Sequence, residues 1–170
     1  DKNVNGVQTC ALPIYSHLTA WLEAKDYDYD VITDEALHEE GAELLTPYAA
    51  VTTGTHPEYH TRETLDALQA YRDQGGHLAY LGGNGFYWRV ALHPENKGLI
   101  EIRRAEGGIR AWGAEPGGYY SAMDGTYGGL WGRNGRPPQR LSGGGFSAPG
   151  NFPGSFFRPT SASYESRARP

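Results

Sequence analysis

Residues 49–81 constrain the fold most. A β-branched run, Ala49 to Thr53, is followed by an amphipathic stretch and then by a second strand-like run, His77 to Leu81. In the stretch between them, Arg62 to Gln74, Leu65, Leu68 and Tyr71 fall on one helical face and Ala70 adds propensity. Thr61 is placed to cap its start, Glu63 suits the positive end of its dipole, and Gly75-Gly76 stop it. A strand, a helix and a strand joined by short links predict parallel pairing with a crossover helix.

Upstream segments extend the pattern. Leu18, Trp21 and Leu22 recur at helical spacing within Tyr15 to Lys25. Tyr27 to Ile32 alternates aromatic or β-branched residues with aspartate and predicts a strand. Thr33 and Asp34 can cap a short helix, Glu35 to Glu40, that Gly41 ends. The fold class expected is therefore α/β, a parallel sheet with flanking helices. Leu99 to Arg104 and Gly108 to Trp112 read as a hairpin. Beyond Gly113 the chain is rich in Gly, Pro and aromatics (Tyr119, Tyr120, Tyr127, Trp131, Phe146), which fits an ordered cover over a site. The organisation expected is a leader at 1–14, an α/β core at 15–112 and a cover at 113–170. The stretch NGVQTCALPI looks like translated sequencing adapter of the kind found in metagenomic genes, so the natural chain is expected to start near Tyr15. The end at Pro170 carries no capping element, so a fragment of a longer protein is expected.

Composition narrows the function classes. The 170 residues carry a formal net charge of -5, which argues against a nucleic-acid footprint. No apolar run approaches the length needed to cross a bilayer, and no signal-peptide pattern opens the chain. The single cysteine, Cys10, cannot form an internal disulfide, which fits a cytoplasmic location. A G-x-S-x-G elbow, a phosphate-binding G-x-x-x-x-G-K-[ST] loop and a cysteine nucleophile after a strand are all absent.

Ligands of open α/β sheets bind beyond the carboxyl ends of the strands. Three loops are expected there: Thr33-Asp34, Gly54 to His60, and Gly82 to Trp88. In VTTGTHPEYH, residues His56, Glu58 and His60 alternate, so an extended backbone would project all three to one side. Glu58 can ligate a cation, and either histidine can ligate or move a proton. The plainer reading is a Pro57 turn with a solvated helix flank behind it. In GGNGFYW, Asn84 can hold a carbonyl or a water. The plainer reading there is a wide glycine turn with Phe86 and Trp88 on the core. Asp34 reads as a cap and His38 as a surface residue. His17, His77 and His93 have no evident partner, Arg103-Arg104 reads as a solvated strand end, and Glu115 is an unplaced loop acid. Gly135 to Leu141 reads as an extended segment with arginines paired to surface acids.

The combination of YDVITDEALHEEG, VTTGTHPEYHTRETLDALQAYRDQGGHLAYLGGNGFYW, RAWGAEPGGYY and GGLWGRNGRPPQRLSGGGF resembles the C-terminal region of the large (beta) subunit of the N,N-dimethylformamidase family. The similarity runs from about Tyr15 to Phe146 in one order. The resemblance implies a glutamine-amidotransferase-like core and hydrolysis of a small N-substituted formamide to an amine and formate. It also implies a mononuclear Fe(III) held by two tyrosines and a glutamate, a small subunit and a homo-oligomer. Carried over by motif, the metal glutamate corresponds to Glu58, its catalytic neighbour to His56 and the active-site asparagine to Asn84, while His60 is assigned to the helix start. The tyrosine ligands are expected upstream of this chain and a further acid beyond Pro170. One protein ligand is too few to hold iron firmly, so the fragment alone is expected to be inactive. The alternative is a non-catalytic domain of the same fold that binds a small ligand or a subunit.

Overall fold

The computed structural model describes residues 12–96, 98–104 and 118–144. Cys10, the expected Gly108–Trp112 strand, Glu115 and Phe146 lie outside the described residues.

Helix α1 spans Leu12–Ala24 and so begins inside the stretch expected to be a leader. Helix α2 spans Asp34–Glu40, with Thr33 as its cap; the Thr33 hydroxyl accepts from the Ala36 N–H at 3.1 Å. A 3-10 turn follows at Gly41–Leu45, and Gly41 takes the positive φ of 68° that lets the chain leave the helix. Strand β1 is Ala50–Thr52, β2 is Tyr59–His60, and helix α3 is Arg62–Asp73. Strands β3 (His77–Ala79), β4 (Trp88–Leu92) and β5 (Ile100–Ile102) follow, and a short helix α4 covers Gln139–Ser142.

Helix α3 organises the core. Thr61 caps it, accepting from the Thr64 N–H at 3.2 Å, and Glu63 and Arg72 sit at the ends that suit their charges. Its buried face (Leu65, Ala67, Leu68, Tyr71) packs with Leu37, Leu45, Phe86 and Trp131. Each large side chain buried there contributes roughly 1.5–3 kcal/mol. The Tyr71 hydroxyl donates to the Tyr48 carbonyl at 2.9 Å. Its ring lies so close to Gly76 that a Cβ there would stand 2.3 Å from it. Gly76 is thus required by a close approach as well as by the helix end.

Strands β1 and β3 pair in parallel, Val51 opposite Leu78, across the α3 crossover. A second sheet has the order β2-β4-β5. In it β2 runs parallel to β4, with Tyr59 opposite Trp88, and β5 runs antiparallel to β4, with Val90 opposite Ile102. The described residues therefore form two small sheets, one parallel and one mixed.

Three local expectations are corrected. Tyr27–Ile32 forms no strand; alternation supplies the pattern, but no backbone partner lies alongside among the described residues. Its side chains bond to helix α1 and to the segment before β1: the Tyr29 hydroxyl donates to Glu23 and Asp30 accepts from the Tyr48 hydroxyl. Residues 88–92, expected only as a loop end, are the most buried strand. The first strand of the expected hairpin is present as Ile100–Ile102 and pairs with that strand. Gly135–Leu141 turns into α4 instead of staying extended, because Pro138 has helical backbone angles that start the turn. Arg136 there does pair with a surface acid, Asp66, at 2.5 Å.

Candidate active site

The His56–Glu58 loop and the Gly82–Trp88 loop are knitted together by backbone hydrogen bonds. The Gly83 N–H donates to the Thr55 carbonyl at 2.9 Å and the Phe86 N–H to the Pro57 carbonyl at 2.6 Å. The Tyr87 and Trp88 N–H groups both donate to the Glu58 carbonyl, at 3.0 and 2.8 Å. Contact is so close that a Cβ on Gly82 would lie 2.0 Å from the Thr55 oxygen. One on Gly85 would lie 2.3 Å from the Tyr80 ring, whose hydroxyl accepts from the Gly85 N–H at 2.8 Å. Asn84 and Phe86 both adopt positive φ, 54° and 56°. Asparagine tolerates this conformation, whereas for Phe86 it is a strained one. The Phe86 ring anchors it, nearly fully buried against His60 (5.0 Å between centroids) and Tyr80 (5.5 Å).

This docking places the candidate residues differently from the extended reading. The Glu58 N–H turns back to the His56 carbonyl at 2.8 Å, so the backbone bends at Pro57. His56, Glu58 and His60 therefore sit at different depths: His56 is exposed, Glu58 half-buried and His60 buried. His56, Glu58 and His60 all line a cavity of about 640 Å³ that lies between residues 27–34 and the β1 edge. The His56 Nε2 sits over Gly83, 3.8 Å from where a Cβ would be. Asn84, the next residue after Gly83, is half-buried and off the wall of that cavity.

His60 is only 4% exposed. Its Nε2 lies 3.1 Å from the Pro57 carbonyl, which can only accept, so Nε2 carries the proton. Nδ1 faces the Thr64 hydroxyl at 3.2 Å. Burial pushes its pKa down, against the opposing pull of the Asp34 carboxylate and the Pro57 carbonyl, and the ring is neutral. The carboxyl of Asp34, an exposed residue at the start of α2, is pushed up by desolvation first, with His60 opposing and Glu35 adding.

Several residues gain roles that spacing did not reveal. His38 is half-buried, with Nδ1 at 2.9 Å from the Thr61 hydroxyl and 3.4 Å from Glu63, so it joins α2 to α3 rather than facing solvent. Arg104 is no solvated strand end: its guanidinium stacks on the Trp88 and Tyr59 rings, at 4.9 and 5.4 Å. Arg103 pairs with Glu101. His93 accepts two backbone N–H groups of its own turn, and His17 and His77 are exposed. The Trp131 indole donates to the His60 carbonyl at 3.1 Å, tying the glycine-rich half to the site.

Among the described residues, no three His, Cys, Asp or Glu side chains are grouped to hold a metal ion. Glu58 offers one hard oxygen donor to the cavity. Tyr29, Tyr48 and Tyr59 line the same cavity. A hydrogen bond to Glu23 raises the Tyr29 pKa and one to Asp30 raises that of Tyr48. Burial, then Glu58, raises that of Tyr59 against Arg104. All three shifts oppose phenolate formation, so the donor set present fits a hard cation only as one corner of a larger site.

The fold and the two knitted loops define a small α/β unit bearing a histidine–carboxylate rim. The profile of the family described as "N,N-dimethylformamidase beta subunit-like, C-terminal" matches residues 7–168, and the chain belongs to that family. It is 40% identical over 157 residues to the N,N-dimethylformamidase beta subunit of Paracoccus aminophilus, covering 92% of this chain and 20% of the relative. It is 42% identical over 139 residues to that of an Alcaligenes species, covering 82% of this chain and 18% of the relative. The chain thus spans about one-fifth of the length of these relatives. No helix among the described residues is long and apolar enough to cross a membrane.

Proposed function

We propose that this chain is part of an amide hydrolase of the N,N-dimethylformamidase kind, acting on a small N-substituted formamide. One observation carries the proposal: the backbone bonds that dock the His56–Glu58 loop on the Asn84 loop, at a cavity large enough for such a substrate. On this reading the exposed His56 imidazole takes a proton from the attacking water and returns one to the departing amine nitrogen. The C–N bond breaks, and formate and the amine leave. Asn84 is off the wall of this cavity but adjoins Gly83, which His56 overlies; the family resemblance assigns its amide to orienting the carbonyl or the water. Glu58 would hold a ferric ion together with donors from outside these residues; when bound, that ion supplies a Lewis acid. A glutamine-amidotransferase-like core, a second small subunit, a homo-oligomer and a cytoplasmic location belong to the same proposal.

The test uses the complete gene product. Formate release from dimethylformamide and iron content are measured for the wild type and for Glu58→Ala, His56→Ala and Asn84→Ala. Glu58→Ala is expected to lose iron and activity. His56→Ala is expected to keep iron and lose about 100-fold or more in kcat, the usual scale for a proton-transfer group. A wild-type protein with neither iron nor amide hydrolysis overturns the proposal. The exposed Tyr119 and Tyr120 favour a second reading, a binding domain that meets its partner through that aromatic segment; binding without turnover would select it.

A further inference from the structure

We propose that His60 is a positioning residue for the loop that carries His56 and Glu58. This rests on the amide-hydrolase reading for its consequence and on the geometry alone for its mechanism. Pro57 is the bend between the two candidate residues, and its carbonyl receives two hydrogen bonds. One comes from the Phe86 N–H at 2.6 Å, the other from His60 Nε2 at 3.1 Å. The imidazole is itself held on two further sides, and the backbone of the residue by a third contact. The Thr64 hydroxyl meets Nδ1 at 3.2 Å, the Phe86 ring stacks at 5.0 Å, and the Trp131 indole holds the His60 carbonyl at 3.1 Å.

The arrangement closes a small loop. His60 lies three residues after Pro57 and reaches back to it, which sets how Glu58 and His56 leave the bend. Phe86 is shared: its N–H bonds Pro57 while its ring packs on His60. One buried side chain therefore fixes the bend and its register against the Asn84 loop together. A histidine suits the place because it offers a donor on one side and an acceptor on the other in a flat body that stacks on a ring. With both ring nitrogens engaged by Pro57 and Thr64, His60 acts through the bend; a misplacement of about 1 Å at a reacting group is enough to lower turnover about 100-fold.

The experiment compares His60→Gln, which can still donate toward Pro57, with His60→Leu, which cannot, and with Thr64→Val, which leaves the imidazole but removes its orienting hydroxyl. Two readouts are taken. Backbone hydrogen exchange at Phe86, Tyr87 and Trp88 reports the docking of the loops, whatever the chain catalyses. The kcat and KM for dimethylformamide in the complete enzyme report the consequence. Expected are faster exchange at Phe86 and a fall in kcat of about 10- to 100-fold with KM little changed in His60→Leu, an intermediate effect in Thr64→Val, and recovery of most of both in His60→Gln. Unchanged exchange in folded His60→Leu or, if that variant does not fold, in Thr64→Val overturns the proposal. Equal losses in His60→Gln and His60→Leu also overturn it, since bulk rather than the donor would then matter. A wild-type enzyme without amidase activity sinks the hydrolase reading alone, and the exchange measurement still decides the positioning role.

Discussion

Glu101 gives the sharpest quantitative test of how the glycine-rich half is attached. It lies on β5, with a side chain only 12% exposed. Its carboxylate accepts from the Ser121 hydroxyl at 2.6 Å, from the Ala122 and Met123 N–H groups at 3.0 Å each, and from Arg103 Nε at 2.6 Å. Burial alone pushes its pKa up, but the Ala122, Ser121, Met123 and Arg103 donors outweigh it and bring the value from 4.5 to about 2. At 1.36 kcal/mol per tenfold, that depression corresponds to roughly 3 kcal/mol of stability at neutral pH. The sign follows from the folded value lying below the unfolded one. The contribution is complete above about pH 4.5 and is lost as the pH falls toward about 2. Glu101→Gln removes the charge and turns a donor toward donors. Urea unfolding at pH 7 should show a loss of about 3 kcal/mol, and a melting temperature lower by roughly 6–12 °C for a chain of this size. The gap between wild type and variant should shrink to about 1.5 kcal/mol near pH 3. A gap that stays constant between pH 7 and pH 3, or a loss below about 0.5 kcal/mol at pH 7, would refute the reasoning.

Two further substitutions probe the other contacts. Gly82→Ala would drive a Cβ into the Thr55 carbonyl and part the two loops. It should cost about 1–3 kcal/mol for overpacking, with about 1 more for the Gly83–Thr55 bond. Thermal melting measures the loss, and an unchanged Tm would show that the loops are not held this closely. Arg89 is buried, pairs with Asp124 and stacks on Trp131 at 5.8 Å. Asp124→Ala strands that cation and should cost about 2–3 kcal/mol, less than a fully buried partner would because Asp124 is 38% exposed. Arg89→Met should cost less, and the opposite order in urea unfolding would count against a buried guanidinium that depends on its carboxylate.

What was legible in the chain follows from what acts locally. Helix α3 announces itself because its cap, apolar face and glycine stop all lie within its own residues, and the β1–α3–β3 unit follows from its short links. The second sheet is invisible at that range. Strand β2 is two residues long and exists because Trp88 and Arg89 lie beside it, far along the chain. That pairing also sets the depth of the histidine–glutamate cluster: alternation across β2 leaves Tyr59 outward and buries His60, while the turn at Pro57 leaves His56 exposed and Glu58 half-buried on the same cavity. Spacing could suggest three convergent ligands; only the three-dimensional contacts show that His60, though on the same cavity wall, has both ring nitrogens engaged by Pro57 and Thr64. The same holds for Arg104, whose place on two aromatic rings depends on β4 and β5 meeting. Loops that position chemistry through main-chain bonds leave traces in their glycines and in strained residues such as Phe86 rather than in the reactive side chains. In this chain those traces, Gly82, Gly85 and Phe86, fall in the stretch where side-chain reading selected Asn84 alone.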